Sequence, residues 1–376
     1  MPGPDRVGRL DIADIVRAHR SELESRQWLS RQQKRVLTDI ANCRTAALGG
    51  HLDRCSQCGY ERPSYNSCRN RHCPKCQALA QEKWIEEQRA RMLDVPHFHV
   101  VFTLPAELRP LAVFAPSVVY EALFHASART LRAFARTRLD AVIGATLVLH
   151  TWTRKLELHP HVHAIVTAGG LARDGTKWHS AQRAFLFPVK AMSQVLRAKM
   201  LARLRRAYRD GSFKRFPDFR DPEAFARLTR RIAKLSWHVY AKPSFNRADY
   251  VLQYLGRYTH RVGIANSRLL SISGNAIIFR TKGSAIASLQ PVEFLRRFLL
   301  HVLPDHFHKI RHIGVYASPK KFDRAAALLP LPSPHRAPPT WQHRLLALTG
   351  HDVTRCPLCD AKLTRLPLPS ARAPPP

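Results

Sequence analysis

The sequence is poor in acidic residues. Asp and Glu together number 27 against 61 Lys and Arg in 376 residues, which leaves a formal net charge of +34. A surplus of one sign repels itself within the compact chain and attracts polyanions. Because neutralising phosphates releases bound counterions, nucleic acid is the partner that this composition favours. A high-GC genome would explain the preference for Arg over Lys, but it would not explain the shortage of acids.

Long apolar runs and nucleotide-binding loops are also missing. No run of about 18 or more apolar residues occurs, so the sequence predicts no membrane span. Residues Met1 to Arg20 are polar and lack the apolar centre of a signal peptide. No glycine loop of the Walker type is found, which predicts that no nucleotide-driven motor is fused to this chain. The length allows two or three domains of about 100–200 residues each.

Cysteines are few, but they are clustered. Six of the eight lie between Cys43 and Cys76, and without a secretory signal this clustering favours metal over disulfides. Two Cys-x-x-Cys pairs, one on each side of a fourteen-residue spacer, predict a zinc ribbon in which all four thiolates bind one ion. The four are Cys55, Cys58, Cys73 and Cys76.

Other candidate ligands surround these two pairs. Cys68 and His72, with Cys43 and His51, would complete a second tetrahedral site, or else they are buried thiols and surface imidazoles. A last pair, Cys356 and Cys359, has no partner pair nearby in the sequence. It is either half of a zinc site or a free vicinal pair within a proline-rich end of the chain.

A second metal pattern lies in the middle of the chain. The stretch 158–170 reads as a turn that enters a buried strand closed by two glycines. Side chains on a strand alternate between its faces, so His161 and His163 leave one face while Val162 enters the core. Two imidazoles on one face can bind a divalent metal, with a third ligand from elsewhere.

The preceding strand, 142–152, offers that third ligand. If the two strands form a hairpin folded near Leu156, His150 lies across from Val162 and within reach of the histidine pair. His159 is the next candidate and Gln253 the third, and an ordinary core histidine is the alternative for His150. A further His-x-His, formed by His97 and His99, is expected to be structural because nothing else metal-like adjoins it.

Three tyrosines form the last pattern. Tyr250, Tyr254 and Tyr258 are four residues apart, so on a helix they lie on one face. An aromatic core stripe is the alternative, but Arg257 and Arg261 beside them suit a phosphate-rich surface better than a core.

One chemistry uses all of these features. A phenol titrates near about 10, so tyrosine is a poor nucleophile at neutral pH. A divalent metal on paired histidines would polarise a scissile phosphate, and a phenolate would then displace the 3′-hydroxyl and keep the 5′-phosphate as a covalent ester. That ester preserves the bond energy, so a second strand end can be joined without ATP.

At these residues the sequence resembles the HUH (His-hydrophobic-His) rolling-circle transposases of the insertion-sequence-91 type. The resemblance covers most of the chain. It is carried by 64–76 in the cysteine block, 98–105, 149–152 with 159–163, 254–262 with Asn266, and 311–314.

The resemblance implies a metal-dependent enzyme that nicks and rejoins single-stranded DNA at the ends of its own element. Mg²⁺ or Mn²⁺ would lie on His161 and His163, Zn²⁺ in the N-terminal cysteine module, and the nucleophiles would be Tyr254 and Tyr258. Tyr250 lies outside the family motif. Unwinding of the DNA would depend on a host helicase or the replication machinery. The protein is expected in the cytoplasm, at the bacterial nucleoid.

For the fold we predict an α+β chain in three parts. Residues 1–95 form a helical and zinc-ribbon-like domain. Residues 96–328 form an antiparallel-sheet nicking domain with flanking helices and the tyrosine helix packed beside the sheet. Residues 329–376 form a proline-rich segment with an isolated Cys-x-x-Cys. Two alternatives to a transposase remain: a non-catalytic zinc-ribbon DNA-binding protein from a decayed element, and a replication initiator or relaxase with the same chemistry.

Overall fold

The computed structural model describes residues 10–89, 91–181, 186–245, 256, 263–330 and 340–370. Within these residues the chain has an α+β fold of antiparallel sheets and ten α-helices, as the sequence predicted. The helices are α1 Ile12–Arg26, α2 Arg31–Asn42, α3 Gln77–Arg89, α4 Arg109–Phe114, α5 Pro116–Phe134, α6 Val189–Arg209, α7 Pro222–Lys234, α8 Pro291–Leu299, α9 Pro319–Ala327 and α10 Trp341–Thr349. The strands are β1 Gly50–Cys55, β2 Glu61–Tyr65, β3 His97–Thr103, β4 Ala141–Trp152, β5 Leu158–Ala172, β6 Trp178–Ser180, β7 Val239–Phe245, β8 Leu269–Ile272, β9 Ile277–Arg280, β10 Ile286–Leu289, β11 Ile310–Gly314 and β12 Leu363–Leu368.

Six strands form the sheet that carries the histidine pair. Their order is β11-β4-β5-β3-β7, with β6 paired to β5, and all pairings are antiparallel. Strands β4 and β5 form the predicted hairpin, whose turn is closed by the Thr153 N–H donating to the Glu157 carbonyl. Leu156 takes a positive φ of 61° in this turn.

The two faces of β5 serve different purposes. Val162, Ala164 and Val166 pack into the main core with residues of α4 to α7. His161 and His163 point to the opposite face, because side chains alternate along a strand. On that face Ile165 packs against α3. The alternation of apolar and imidazole side chains in the sequence therefore fixes which face packs into the main core and which face carries the histidines.

The N-terminal sheet includes a strand from the C-terminal segment. Strand β12 pairs antiparallel with β1 from Gly50↔Leu368 to Cys55↔Leu363, which gives a sheet of order β12-β1-β2. The β1–β2 hairpin satisfies only one edge of β1, and the other edge needs a further strand. The end of the chain supplies it.

A second apolar core is built around the first two helices. Helices α1, α2 and α8 pack together with β8 and β9, and the core includes Ile12, Ile40, Phe294 and Phe298.

Among the described residues, no helix combines the length and apolar character that crossing a bilayer requires.

Candidate active site and metal centres

Three histidines meet on the face of the sheet opposite the main core. His150 of β4 lies directly across from His161 of β5, and His163 is two residues further along β5. One ring nitrogen of each lies within 4.8 Å of those of the other two. His150 is thus one position away from its expected place opposite Val162, which pairs with Leu149 instead. The structure thus brings His150, the first candidate for the third ligand, next to the histidine pair.

A hydrogen bond fixes the tautomer of His161. His161 Nδ1 lies 2.6 Å from the His159 carbonyl oxygen, which can only accept, so this nitrogen carries the proton. Its Nε2 therefore carries a lone pair, and this atom lies 2.9 Å from His150 Nδ1. His159 therefore contacts the cluster through its backbone carbonyl, which accepts from His161. Its own ring Nδ1 lies 3.4 Å from the Arg109 guanidinium.

Burial keeps the three imidazoles neutral. It lowers the pKa of His161 to about 4, and it holds the pKa values of His150 and His163 well below the ordinary value. Transfer from water disfavours the charged imidazolium. Neutral imidazole is the form that ligates metal ions. The cluster thus has the donor type and protonation state that a metal needs.

His99 makes a contact that the sequence did not predict. Its Nε2 lies 2.8 Å from His163 Nδ1, and the two rings stack at 5.0 Å with an interplanar angle of 6°. The second His-x-His therefore does adjoin the candidate site, contrary to expectation. His97, the other member, contacts the Tyr316 hydroxyl at 2.6 Å instead. Only the pairing of β3 with β5 reveals the contact.

The first cysteine cluster contains Cys43, Cys68, Cys73 and Cys76, whose sulfurs lie within 4.8 Å of one another. Helix α2 begins with a capping box formed by Ser30 and Gln33 and ends at Asn42, so it delivers Cys43 from its C-terminal end. The Sγ atoms of Cys43 and Cys68 lie 3.2 and 3.5 Å from that of Cys76. Four thiolates at about 2.3 Å from a zinc ion would lie about 3.8 Å apart, so this set fits tetrahedral zinc.

The prediction of one ribbon site is corrected by the structure. Cys55 and Cys58 do not join Cys73 and Cys76; they meet Cys356 and Cys359, which are therefore not isolated. The spacing of cysteines in the sequence does not reveal which Cys-x-x-Cys pairs meet. Here the β1–β2 hairpin turns the first pair toward Cys356 and Cys359.

His72 is in neither cysteine cluster. Its Nε2 accepts from the Leu303 N–H at 3.2 Å, and its Nδ1 lies 3.0 Å from the Asn70 side-chain oxygen. With Arg71, which donates to the Pro304 and Phe307 carbonyls, it fastens the cysteine module to the segment 303–307. The expectation that His72 ligates a metal is thus replaced by a docking role.

Helix α3 covers the histidine face. Trp84 and Ile85 are buried against Val148 of β4 and Ile165 of β5. Gly256 is buried and helical, and a Cβ at that position would lie 2.5 Å from Ile85 Cδ1. Glycine permits this approach because it has no side chain. Gly256 is the residue midway between the two candidate tyrosines in the sequence.

The predicted nucleophiles Tyr254 and Tyr258 lie outside the described residues, as does Gln253. Their roles stay predictions.

Two family models match the chain. One, described as "Putative transposase", matches residues 144–322, which include His150, His161 and His163. The other, described as "Transposase zinc-binding domain", matches residues 15–104, which include the first cysteine cluster.

Two curated proteins are similar over nearly the whole chain. "Putative transposase y4qJ" of Sinorhizobium fredii is 42% identical over 371 residues, which cover 93% of this chain and 92% of the relative. "Transposase for insertion sequence element IS801" of Pseudomonas savastanoi pv. phaseolicola is 29% identical over 358 residues, with 87% and 82% covered. No solved structure matches the chain significantly.

The fold and these matches define a class of protein, a transposase with a zinc-binding domain in front of an antiparallel α+β domain. Transposases act on DNA, which agrees with the formal charge of +34. The chain belongs to the insertion-sequence-91 family of transposases.

Proposed function

We propose that this transposase nicks and rejoins single-stranded DNA at the ends of its own element, through a covalent 5′-phosphotyrosine and with a divalent metal, in rolling-circle-type transposition. The observation that carries the proposal is the cluster of three buried, neutral imidazoles on one face of the sheet. A single core histidine needs no such neighbours, whereas three converging nitrogens are what a metal requires.

His150, His161 and His163 would hold the metal, which when bound polarises the scissile phosphate and orients it for in-line attack. An all-nitrogen donor set suits Mn²⁺ better than Mg²⁺, because Mg²⁺ prefers oxygen ligands in near-ideal octahedral geometry. We therefore expect Mn²⁺ to support nicking at lower concentrations than Mg²⁺.

The resemblance over 254–262 supports tyrosine as the nucleophile, with Tyr254 and Tyr258 as the candidates. The phenol of one tyrosine gives up its proton, its oxygen bonds to phosphorus as the bond from phosphorus to the 3′-oxygen breaks, and the 3′-oxygen takes up a proton and leaves as a hydroxyl. A second 3′-hydroxyl reverses the step, with the strand joined and the phenol regenerated.

The test is a suicide-substrate assay with the full-length chain. End-labelled single-stranded DNA carrying the element's termini is incubated with Mn²⁺ or Mg²⁺, and covalent adducts are separated on a denaturing gel. We expect an adduct that disappears with EDTA and that maps to Tyr254 or Tyr258 after digestion. If the protein is folded and binds DNA but gives no adduct with either metal, the interpretation as a non-catalytic DNA-binding protein replaces this proposal.

His99 is a positioning residue on this proposal. When His163 Nδ1 donates to His99 Nε2, its own Nε2 presents the lone pair to the metal. We expect His99→Phe to raise the Mn²⁺ concentration that gives half-maximal adduct formation by about 10- to 100-fold, the usual cost of losing such a partner.

Two further variants separate this effect from a loss of stability. His99→Gln keeps an acceptor and should recover part of the metal affinity. His97→Phe removes a buried imidazole whose partner is Tyr316, so it should lower the melting temperature without changing the metal dependence. Equal metal dependence in all three variants would refute the positioning role.

A further inference from the structure

The second cysteine cluster joins two distant parts of the chain. We infer that Cys55, Cys58, Cys356 and Cys359 hold a second structural zinc ion, which fastens the segment 340–370 to the N-terminal sheet. The zinc-binding match ends at residue 104 and the transposase match at residue 322, so neither reaches Cys356. This inference is independent of the nicking chemistry.

The two halves of the site repeat each other in sequence and in backbone conformation. Each begins with Arg-Cys-x-x-Cys, at Arg54 and at Arg355. In each, the first cysteine N–H donates to the carbonyl five residues later, at 2.8 Å in both cases. The residue after the second cysteine has a positive φ, 73° at Gly59 and 59° at Asp360, and its N–H donates back to the carbonyl of the first cysteine.

Such a turn aims two thiolates at one point, and here two turns face each other. The Cys55 and Cys359 sulfurs are 3.5 Å apart, as are those of Cys58 and Cys356, and all four lie within 4.8 Å of one another. Tetrahedral zinc with four thiolates requires sulfur separations of about 3.8 Å. Each half contributes one buried and one exposed cysteine, so the ion would lie at the rim of the sheet.

The pairing of β12 with β1 brings the two halves into register. The carboxylate of Asp53, which is 1% exposed, lies between Arg62 of β2 and Arg365 of β12, at 3.0 and 2.9 Å. This three-strand ion pair crosses the same sheet that ends at the cysteines. Closing a loop of some hundreds of residues costs chain entropy, and a metal link across such a loop opposes that cost.

The fastened segment also supports the candidate active site. Arg344 of α10 pairs with Glu86 of α3, with its Nη2 2.5 Å from Oε2. Glu86 adjoins Ile85, which packs on the histidine face and against Gly256. The second zinc ion would therefore hold α10 in place behind α3, the helix that covers the histidine face.

Zinc stoichiometry tests the inference. Purified full-length protein should contain two equivalents of zinc, and the double variant Cys356→Ser, Cys359→Ser should contain one. Leu358→Ser is the matched control, because Leu358 lies between the two thiols but is 73% exposed, and it should keep two equivalents. If the double variant is insoluble, Cys359→Ser alone, whose thiol is exposed, gives the same comparison.

A second measurement reports the fastening itself. A site-specific protease sequence is inserted after residue 335 and cut in the folded protein, and co-elution of the two pieces is followed by gel filtration. The pieces should stay together in the zinc-loaded chain and separate in the double serine variant. One zinc equivalent in the wild type, two in the double variant, or a disulfide among these four cysteines would overturn the inference.

Discussion

His161→Ala or His163→Ala should abolish nicking while leaving DNA binding nearly unchanged. Each change removes one of three nitrogens that converge on the proposed metal site. A bound metal contributes several kcal/mol to stabilising the charge of the transition state. Since each 1.4 kcal/mol is a factor of about ten in rate, we expect adduct formation to fall by at least about 10³-fold.

DNA affinity should persist because it has another source. The surplus of basic residues, 61 against 27 acidic ones, attracts phosphates, whereas the histidines are buried and neutral. Binding measured by fluorescence anisotropy at fixed salt should therefore change by less than about twofold, with an unchanged salt dependence.

His97→Ala is the matched control for the loss of a buried imidazole. His97 is 0% exposed and lies on the neighbouring strand β3, but it contacts Tyr316 and not the cluster. It should keep both activities at some cost in melting temperature. If His163→Ala lost binding and nicking in parallel, the histidines would be structural and no catalytic metal would lie there.

The double variant Tyr254→Phe, Tyr258→Phe should form no covalent adduct with DNA. Phenylalanine keeps the ring and loses only the oxygen that would bond to phosphorus, so folding and DNA binding should be retained. In the suicide-substrate assay each single variant should leave adduct only on the remaining tyrosine. Comparison of the two single variants then shows which tyrosine attacks first.

Tyr250→Phe is the control for this series. Tyr250 has the same four-residue spacing but lies outside the family's tyrosine motif, so its loss should leave the adduct yield unchanged. An adduct that persists in the double variant, or that maps to Tyr250, would contradict the assignment. Circular dichroism and anisotropy on the same samples exclude unfolding as the cause of a negative result.

The histidine strand was predictable because its signal is local. The alternation of imidazole and apolar residues over 161–166 fixes a face, and the order of β4, turn and β5 follows from neighbouring stretches of chain. The exact partner was not predictable. The pairing shifts between His150 and Trp152, and the turn around Leu156 sets the register, so His150 faces His161 and not Val162.

The cysteine sites show the limit of spacing arguments. Both Cys-x-x-Cys pairs near the N-terminus were recognisable as ligands, but the fold assigns each to a different cluster. Cys43 entered the first cluster from the end of α2, and Cys356 with Cys359 entered the second through the β1–β12 pairing. The contact of His99 with His163 likewise depends on strands 64 residues apart.

The sequence by itself determined the polyanion-binding charge, the α+β class, the family resemblance and which residue types carry chemistry. Each of these depends on composition or on spacing within a few residues. The tertiary structure decided which of those residues meet. Contacts between distant segments depend on strand order, register and packing, which no local pattern encodes. These contacts divide the cysteines into two clusters. They also make His99, which the sequence predicted to be structural, a neighbour of the candidate metal centre.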